Sequence, residues 1–199
     1  KALIKAKASV NKTHTEDGTT PLFIASELGN LEVVEALVEA NANVDKAQNN
    51  GTTPLYIASQ NAHLEIVTTL IDAGATTDQA TKDGATPLFI ASGGGHVEVV
   101  KTLIKANKTK KATVNKATMM GTTPLYTASQ NAHVEVVAAL IEAGAAINQA
   151  RKDGSTPVYM ASAQGHAPVV QVLIDAGART AEGVYKGMSP LHIASQQGH

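Results

Sequence analysis

The chain has 199 residues, 43% of them hydrophobic and 3% aromatic, with 16 Lys and Arg against 17 Asp and Glu. The net charge of −1 selects no class of partner. No apolar run approaches the ~20 residues of a membrane span, and the absence of cysteine removes disulfides, thiolate catalysis and cysteine-ligated zinc.

The chain opens with Lys1-Ala2-Leu3-Ile4-Lys5-Ala6, which matches Lys101-Thr102-Leu103-Ile104-Lys105-Ala106 and reads as the end of a helix. Residues 18–28 then read Gly-Thr-Thr-Pro-Leu-Phe-Ile-Ala-Ser-Glu-Leu. Gly18 permits a tight turn at positive φ, and Thr20 can cap a helix N-terminus. Pro21 suits the first helical position, where a missing N–H costs nothing. The short helix stops at Gly29. A second helix is predicted over Leu31–Glu39, with Val33, Val34, Leu37 and Val38 sharing one face. A loop over 41–50 leads to the next Gly-Thr-Thr-Pro.

That proline recurs at Pro21, Pro54, Pro87, Pro124, Pro157 and Pro190, in steps of 33, 33, 37, 33 and 33 residues. A fixed period in this range marks a stacked-repeat architecture, because one loop and two helices cannot bury their apolar face alone. The expected organisation is one all-α array over 1–199. It comprises the C-terminal half of a repeat at 1–17, full repeats at 18–50, 51–83, 84–120, 121–153 and 154–186, and an N-terminal half at 187–199. The repeat at 84–120 carries four extra residues, placed near Lys108-Thr109-Lys110-Lys111. Pro168 falls in the first turn of a second helix, where proline is tolerated. Residues 51–84 and 121–154 are identical at 24 of 34 positions, a pattern of duplication followed by drift.

These residues resemble the ankyrin repeat, with its Thr-Pro-Leu-His-x-Ala and Gly-His elements. Gly-His stands at Gly95-His96, Gly165-His166 and Gly198-His199, with variants Gly29-Asn30, Ala62-His63 and Ala132-His133. Ala-Gly-Ala closes the second helix at 73–75, 143–145 and 176–178. One departure is systematic. The family's histidine after Thr-Pro-Leu is present only as His192, and the other copies carry Phe23, Tyr56, Phe89, Tyr126 and Tyr159. Five of the six aromatic residues thus occupy one repeat position, which points to packing within or between repeats.

The search for chemistry is mostly negative. His63, His96, His133, His166 and His199 form a ladder, but helices stack ~8–10 Å apart whereas zinc–nitrogen bonds are ~2.0–2.1 Å. Each is expected to bond local backbone at a helix boundary. Gly93-Gly94-Gly95 lacks the strand context of a phosphate loop. Ser26, Ser59, Ser92, Ser129, Ser162 and Ser195 share one repeat position and serve the scaffold. No catalytic, cofactor-binding or metal-ligating set is assigned, and no cofactor is expected.

Lysines gather at Lys101, Lys105, Lys108, Lys110, Lys111 and Lys116, and again at Lys1, Lys5, Lys7 and Lys12. An anionic partner is one reading. Solvated helix ends are the plainer one, since neither cluster interleaves the aromatic residues that stack on bases, and nucleic acid is not expected. Three Asn-x-Thr sequons, at Asn11, Asn50 and Asn107, fall in inter-repeat loops where a glycosylation acceptor would be accessible. They keep a secreted location open beside the cytoplasmic one favoured by the lack of a signal-peptide pattern.

The resemblance implies a non-enzymatic scaffold that binds a protein partner through a concave face made of loop tips and the exposed side of the first helices. The candidate tips are Asn49, Asn50, Lys82, Asp83, Met119, Met120, Lys152 and Asp153, flanked by Glu16-Asp17 and Tyr185-Lys186. The candidate helix positions are Gln60, Asn61, Gln130, Asn131 and Gln164, with Glu27-Leu28, Gly93-Gly94, Ala163 and Gln196-Gln197 at the same repeat position. These vary on a constant frame. Met119 and Met120, the one adjacent apolar pair among the tips, would be the anchor. A second reading is architectural. The chain begins and ends in mid-repeat, so it is read as a fragment of a longer array or as a subunit stacking head to tail into a filament. Leu3, Ile4, Leu191, Ile193 and Ala194 would then be apolar surface at the two ends.

Overall fold

The structure, a computed structural model, describes residues 8–107, 113–181 and 187–199. The helix end expected at 1–6, the inserted lysines Lys108, Lys110 and Lys111, and the tip Tyr185-Lys186 lie outside the described residues. Two units are distinguished, Lys1–Ile90 and Ala91–His199.

The first unit contains α1 (Pro21–Glu27), α2 (Leu31–Glu39), α3 (Pro54–Gln60) and α4 (Leu64–Asp72), and the division falls within α5 (Pro87–Gly94). The second contains α6 (Val97–Ala106), α7 (Pro124–Gln130), α8 (Val134–Glu142), α9 (Pro157–Ala163), α10 (Ala167–Asp175) and α11 (Pro190–Gln197). The all-α expectation holds, and α2 has the span predicted for it.

Each first helix begins as its motif dictates. The hydroxyl of Thr20 accepts from the Phe23 N–H, and those of Thr53, Thr86, Thr123 and Thr156 do the same three residues on, at 3.1–3.3 Å. Such a cap satisfies one of the N–H groups that a helix leaves without a partner, and proline at N1 removes another. The repeated serine bonds back along its own helix, Ser26 Oγ to the Leu22 carbonyl at 2.8 Å and Ser129 Oγ to that of Leu125 at 2.7 Å. A hydroxyl at this position is therefore buried without being orphaned.

In the first unit α1 packs on α2 and α3, α3 on α4, and α2 on α4. In the second, α9 lies between α7 and α11, while α7 packs on α8, α8 on α6 and α10, and α9 on α10. Leu22, Val34, Leu55, Val67 and Leu70 form the core of one unit, and Leu125, Val137, Leu140 and Leu173 that of the other. Each fully buried leucine contributes about 1.5–3 kcal/mol relative to exposure.

Two expectations are corrected. Val33 is exposed on α2 whereas Val34 and Leu37 are buried. At ~100° per residue it lies outside the stripe centred on Val34. Of the apolar residues expected to be open at the end of the chain, Leu191 is exposed, but Ala194 is half-buried and Ile193 is buried, because α11 turns that face onto α9.

The loops between repeats are narrow hairpins. Gln48 N–H donates to the Thr52 carbonyl at 2.9 Å, and Thr81 and Arg151 donate to Ala85 and Ser155 at the same distance. Neighbouring tips are bonded to one another. Asn49 N–H donates to Asp17 (2.8 Å) and Lys82 N–H to Asn50 (2.9 Å) in the first unit, and Lys152 N–H to Met120 (3.1 Å) in the second.

Candidate concave binding surface

In the first unit the hairpins and first helices enclose a groove of about 570 Å³. Phe23 and Tyr56 supply its aromatic wall, and Asp17, Glu27 and Asp83 its charge. No lysine or arginine among the described residues lines it. Of the sequence-predicted residues, Asp17, Glu27, Asn50, Gln60 and Asp83 meet here. The Asp17 carboxyl is held below its ordinary value by the Thr19 N–H, which donates to it at 2.9 Å, with help from His14 at 3.2 Å. The Tyr56 hydroxyl is raised, first by burial and then by the charge of Asp83.

The second unit presents a different constellation at the equivalent place. The Arg151 guanidinium lies 5.3 Å from the centroid of the Tyr126 ring, and its Nη1 is 3.4 Å from both the Tyr126 hydroxyl and Asp153 Oδ2. Because Arg151 donates to Tyr126 and Ser155 Oγ donates to Asp153 at 2.6 Å, the Tyr126 hydroxyl is left to donate to Ser155 Oγ at 2.9 Å. The Asp153 carboxyl is held low by the Ser155 hydroxyl, with Arg151 contributing. Sequence reasoning missed this network. The signal lay in the duplicated segment, where Arg151 stands opposite Thr81.

The remaining predicted positions divide in two. Lys82, Met119, Met120, Gln130, Lys152 and Gln164 are exposed, with Met119 at 63% and Met120 at 57%. Asn49, Asn61 and Asn131 are also at the surface, but their amides are committed to the frame. Asn49 Nδ2 donates to the Glu16 carbonyl at 3.0 Å, Asn61 Nδ2 to that of Glu27 at 2.9 Å and Asn131 Nδ2 to that of Gly93 at 2.7 Å.

The ladder histidines bond local backbone through their main chains, as His63 N–H does to the Ala58 carbonyl and His133 N–H to that of Ala128 at 3.0 Å, but three of the imidazoles reach further. His63 Nε2 reaches the Glu27 carbonyl at 3.2 Å, His133 Nε2 that of Gly93 at 2.9 Å, and His166 Nε2 that of Gln130 at 2.9 Å. Each acceptor belongs to the preceding repeat, 36 to 40 residues away. A carbonyl only accepts, so each imidazole carries its proton on Nε2. The glycine before the second helix makes room for this. A Cβ at Gly29 would lie 2.7 Å from the His63 ring, and one at Gly95 2.6 Å from His133 Nδ1.

This interlock of a glycine in one repeat with a histidine in the next is made by Gly29 with His63, Gly95 with His133 and Gly165 with His199, and the family profile for Ankyrin repeats (3 copies) matches residues 1–81, 74–151 and 144–199. The chain belongs to the ankyrin-repeat family. No curated protein matches it. Ankyrin-repeat domains are generally non-catalytic protein-interaction modules, and no catalytic family is identified. No helix among the described residues of this ankyrin array is long and apolar enough to cross a membrane.

The ankyrin frame also reassigns the sequons. Asn11 is exposed, but its Oδ1 accepts from the Asn43 N–H at 2.7 Å, an inter-repeat clamp that Asn115 and Asn148 repeat on Ala146 and Arg179. Asn50 is exposed and bonds the Thr52 N–H at 2.9 Å. Asn107 is buried, contrary to the accessibility expected of it. In the lysine stretch, Lys101 pairs with Glu98 at 3.0 Å.

Proposed function

We infer that this ankyrin array is a non-enzymatic scaffold that holds a polypeptide partner along its concave face. The observation that carries the reading is the groove of the first unit. It is bounded by hairpin tips bonded into a fixed row and by first helices capped at every threonine, and a rigid concavity binds without a large ordering cost. The contact residues are Asn50, Gln60, Lys82 and Asp83 in one unit, and Met119, Met120, Gln130, Lys152, Asp153 and Gln164 in the other. The methionines supply adaptable apolar contact from side chains with no share in the core. No observation favours the filament, and that reading is not carried further.

The test is selection of peptide ligands from a random displayed library against the whole chain, followed by hydrogen exchange on the complexes. Protection is expected at the tips and first helices. Protection confined to the outer faces of α2, α4, α8 and α10 would overturn the reading. Replacing Met119 and Met120 by serine should weaken ligands that span the second unit and leave the melting temperature unchanged. A large loss of stability would show these side chains to be structural.

A further inference from the structure

The two duplicated segments, 51–84 and 121–154, place the same tyrosine and the same aspartate on the concave side: Tyr56 with Asp83, and Tyr126 with Asp153. In the second unit a guanidinium occupies the space between them. Arg151 stacks on the Tyr126 ring at 5.3 Å, donates to its hydroxyl at 3.4 Å and pairs with Asp153 at 3.4 Å. In the first unit the residue opposite Arg151 is Thr81, whose short side chain accepts from the Ala85 N–H at 3.2 Å. Ala85 stands where Ser155 stands in the other copy, so it offers no hydroxyl to Tyr56 or Asp83.

The chain thus shows, in one copy, what this pair of side chains holds, and in the other copy leaves the same pair open on a groove. The charge of that groove agrees. Asp17, Glu27 and Asp83 line it, and no cation among the described residues does. The half-buried ring of Tyr56 is the surface on which a planar cation stacks, with Phe23 buried behind it.

We propose that the groove of the first unit receives an arginine side chain from the partner polypeptide, which stacks on Tyr56 and pairs with Asp83 as Arg151 does with Tyr126 and Asp153. The proposal rests on the concave-face reading above and narrows the partner to one with an exposed, unpaired arginine. Arginine is preferred over lysine because the fork of guanidinium N–H groups can reach a phenol oxygen and a carboxylate while its plane lies on a ring, whereas an ammonium is a point charge.

The probe is the peptide acetyl-Gly-Gly-Arg-Gly-Gly-amide, titrated into the isotopically labelled 199-residue chain and followed by amide and tyrosine-ring shifts. Saturable shifts are expected at Tyr56, Asp83 and Phe23, weaker by about tenfold with citrulline in place of arginine, since the charged hydrogen bond is lost. Lysine should fall between the two. Asp83→Asn should weaken binding to a similar degree, Thr81→Arg should abolish it by filling the groove from within, and Asp72→Asn, on α4 and outside the groove lining, should leave it unchanged. An unchanged spectrum, equal binding of arginine and citrulline, or indifference to Asp83→Asn would overturn the proposal. The library selection separates the two readings. Ligands that protect the concave face but show no arginine requirement sink the arginine site alone, and ligands that protect the outer helices sink the concave-face reading itself.

Discussion

At the scale of single residues, the joint between repeats rests on a left-handed backbone. Gly95 has φ of 73°, and Ala132 holds φ of 62° at the same repeat position with a Cβ in place. The left-handed region costs an L-residue with a Cβ roughly 1–2 kcal/mol. Ala132→Gly should therefore raise stability by about 1 kcal/mol, measurable by urea denaturation. Gly95→Ala should lower it by about 1–2 kcal/mol and shift the His133 imidazole, whose Nε2–H resonance would report the lost bond to Gly93. Asp153 gives a pH signature. Its folded pKa lies below the ordinary carboxylate value, so its contribution is fully present above that value and is lost as pH falls through the folded pKa. The stability difference between the wild type and Asp153→Asn should thus be largest near neutrality and shrink as pH falls below the ordinary carboxylate range and through the folded pKa. A difference that persisted in acid would mean the carboxylate charge is irrelevant.

At the scale of elements, most of what matters was legible. The Thr-Pro start and the span Leu31–Glu39 follow from chemistry within one turn, and the structure keeps them. Thr123→Ala should cost about 1 kcal/mol through loss of the bond to the Tyr126 N–H, seen as a lowered denaturation midpoint with unchanged slope. His192 does at its repeat position what the aromatic residues do not. Its Nδ1 accepts from the Ser189 N–H at 3.3 Å while Ser189 Oγ accepts from the His192 N–H at 3.4 Å, a capping box that the other repeats leave half-made. What was not legible depends on partners some 30 to 40 residues away. The histidine-to-carbonyl bonds and the amide commitments of Asn61 and Asn131 are set by the neighbouring repeat, and no local pattern announces them. The stack of Arg151 on Tyr126 belongs here too, since 25 residues separate the two.

At the scale of the whole molecule, a solenoid of stacked repeats has a stability close to a sum of repeat and nearest-neighbour interface contributions. A core lesion should then be felt locally. Leu55→Ala, at a fully buried position, should cost about 2–5 kcal/mol and speed amide exchange in α1–α4 far more than in α9 and α10. Uniform acceleration along the chain would show instead that the array opens as one cooperative body. The groove was legible only in outline. Sequence placed Asp17, Glu27, Asn50, Gln60 and Asp83 on one face, but Tyr56 was read as packing, and the fold was needed to set its ring in the same groove as these acids.

The joint of glycine and histidine has a bearing on how such a chain can grow. A repeat that contains both parts offers a cradle to its successor and an imidazole to its predecessor, as Gly95 with His133 and Gly165 with His199 illustrate. Copying a whole number of repeats in tandem therefore creates only junctions of a kind the protein already makes, and a cut at any phase is harmless provided the period is kept. Lengthening is tolerated at the level of heredity because repeats such as the one with Gly95-His96 and the one with Gly165-His166 carry both halves of the fit. The kinship of residues 51–84 and 121–154 is what a lineage free to expand in this way leaves behind. Among the differences between the two copies, Thr81 against Arg151 is the one by which the proposed site would be open in one and closed in the other.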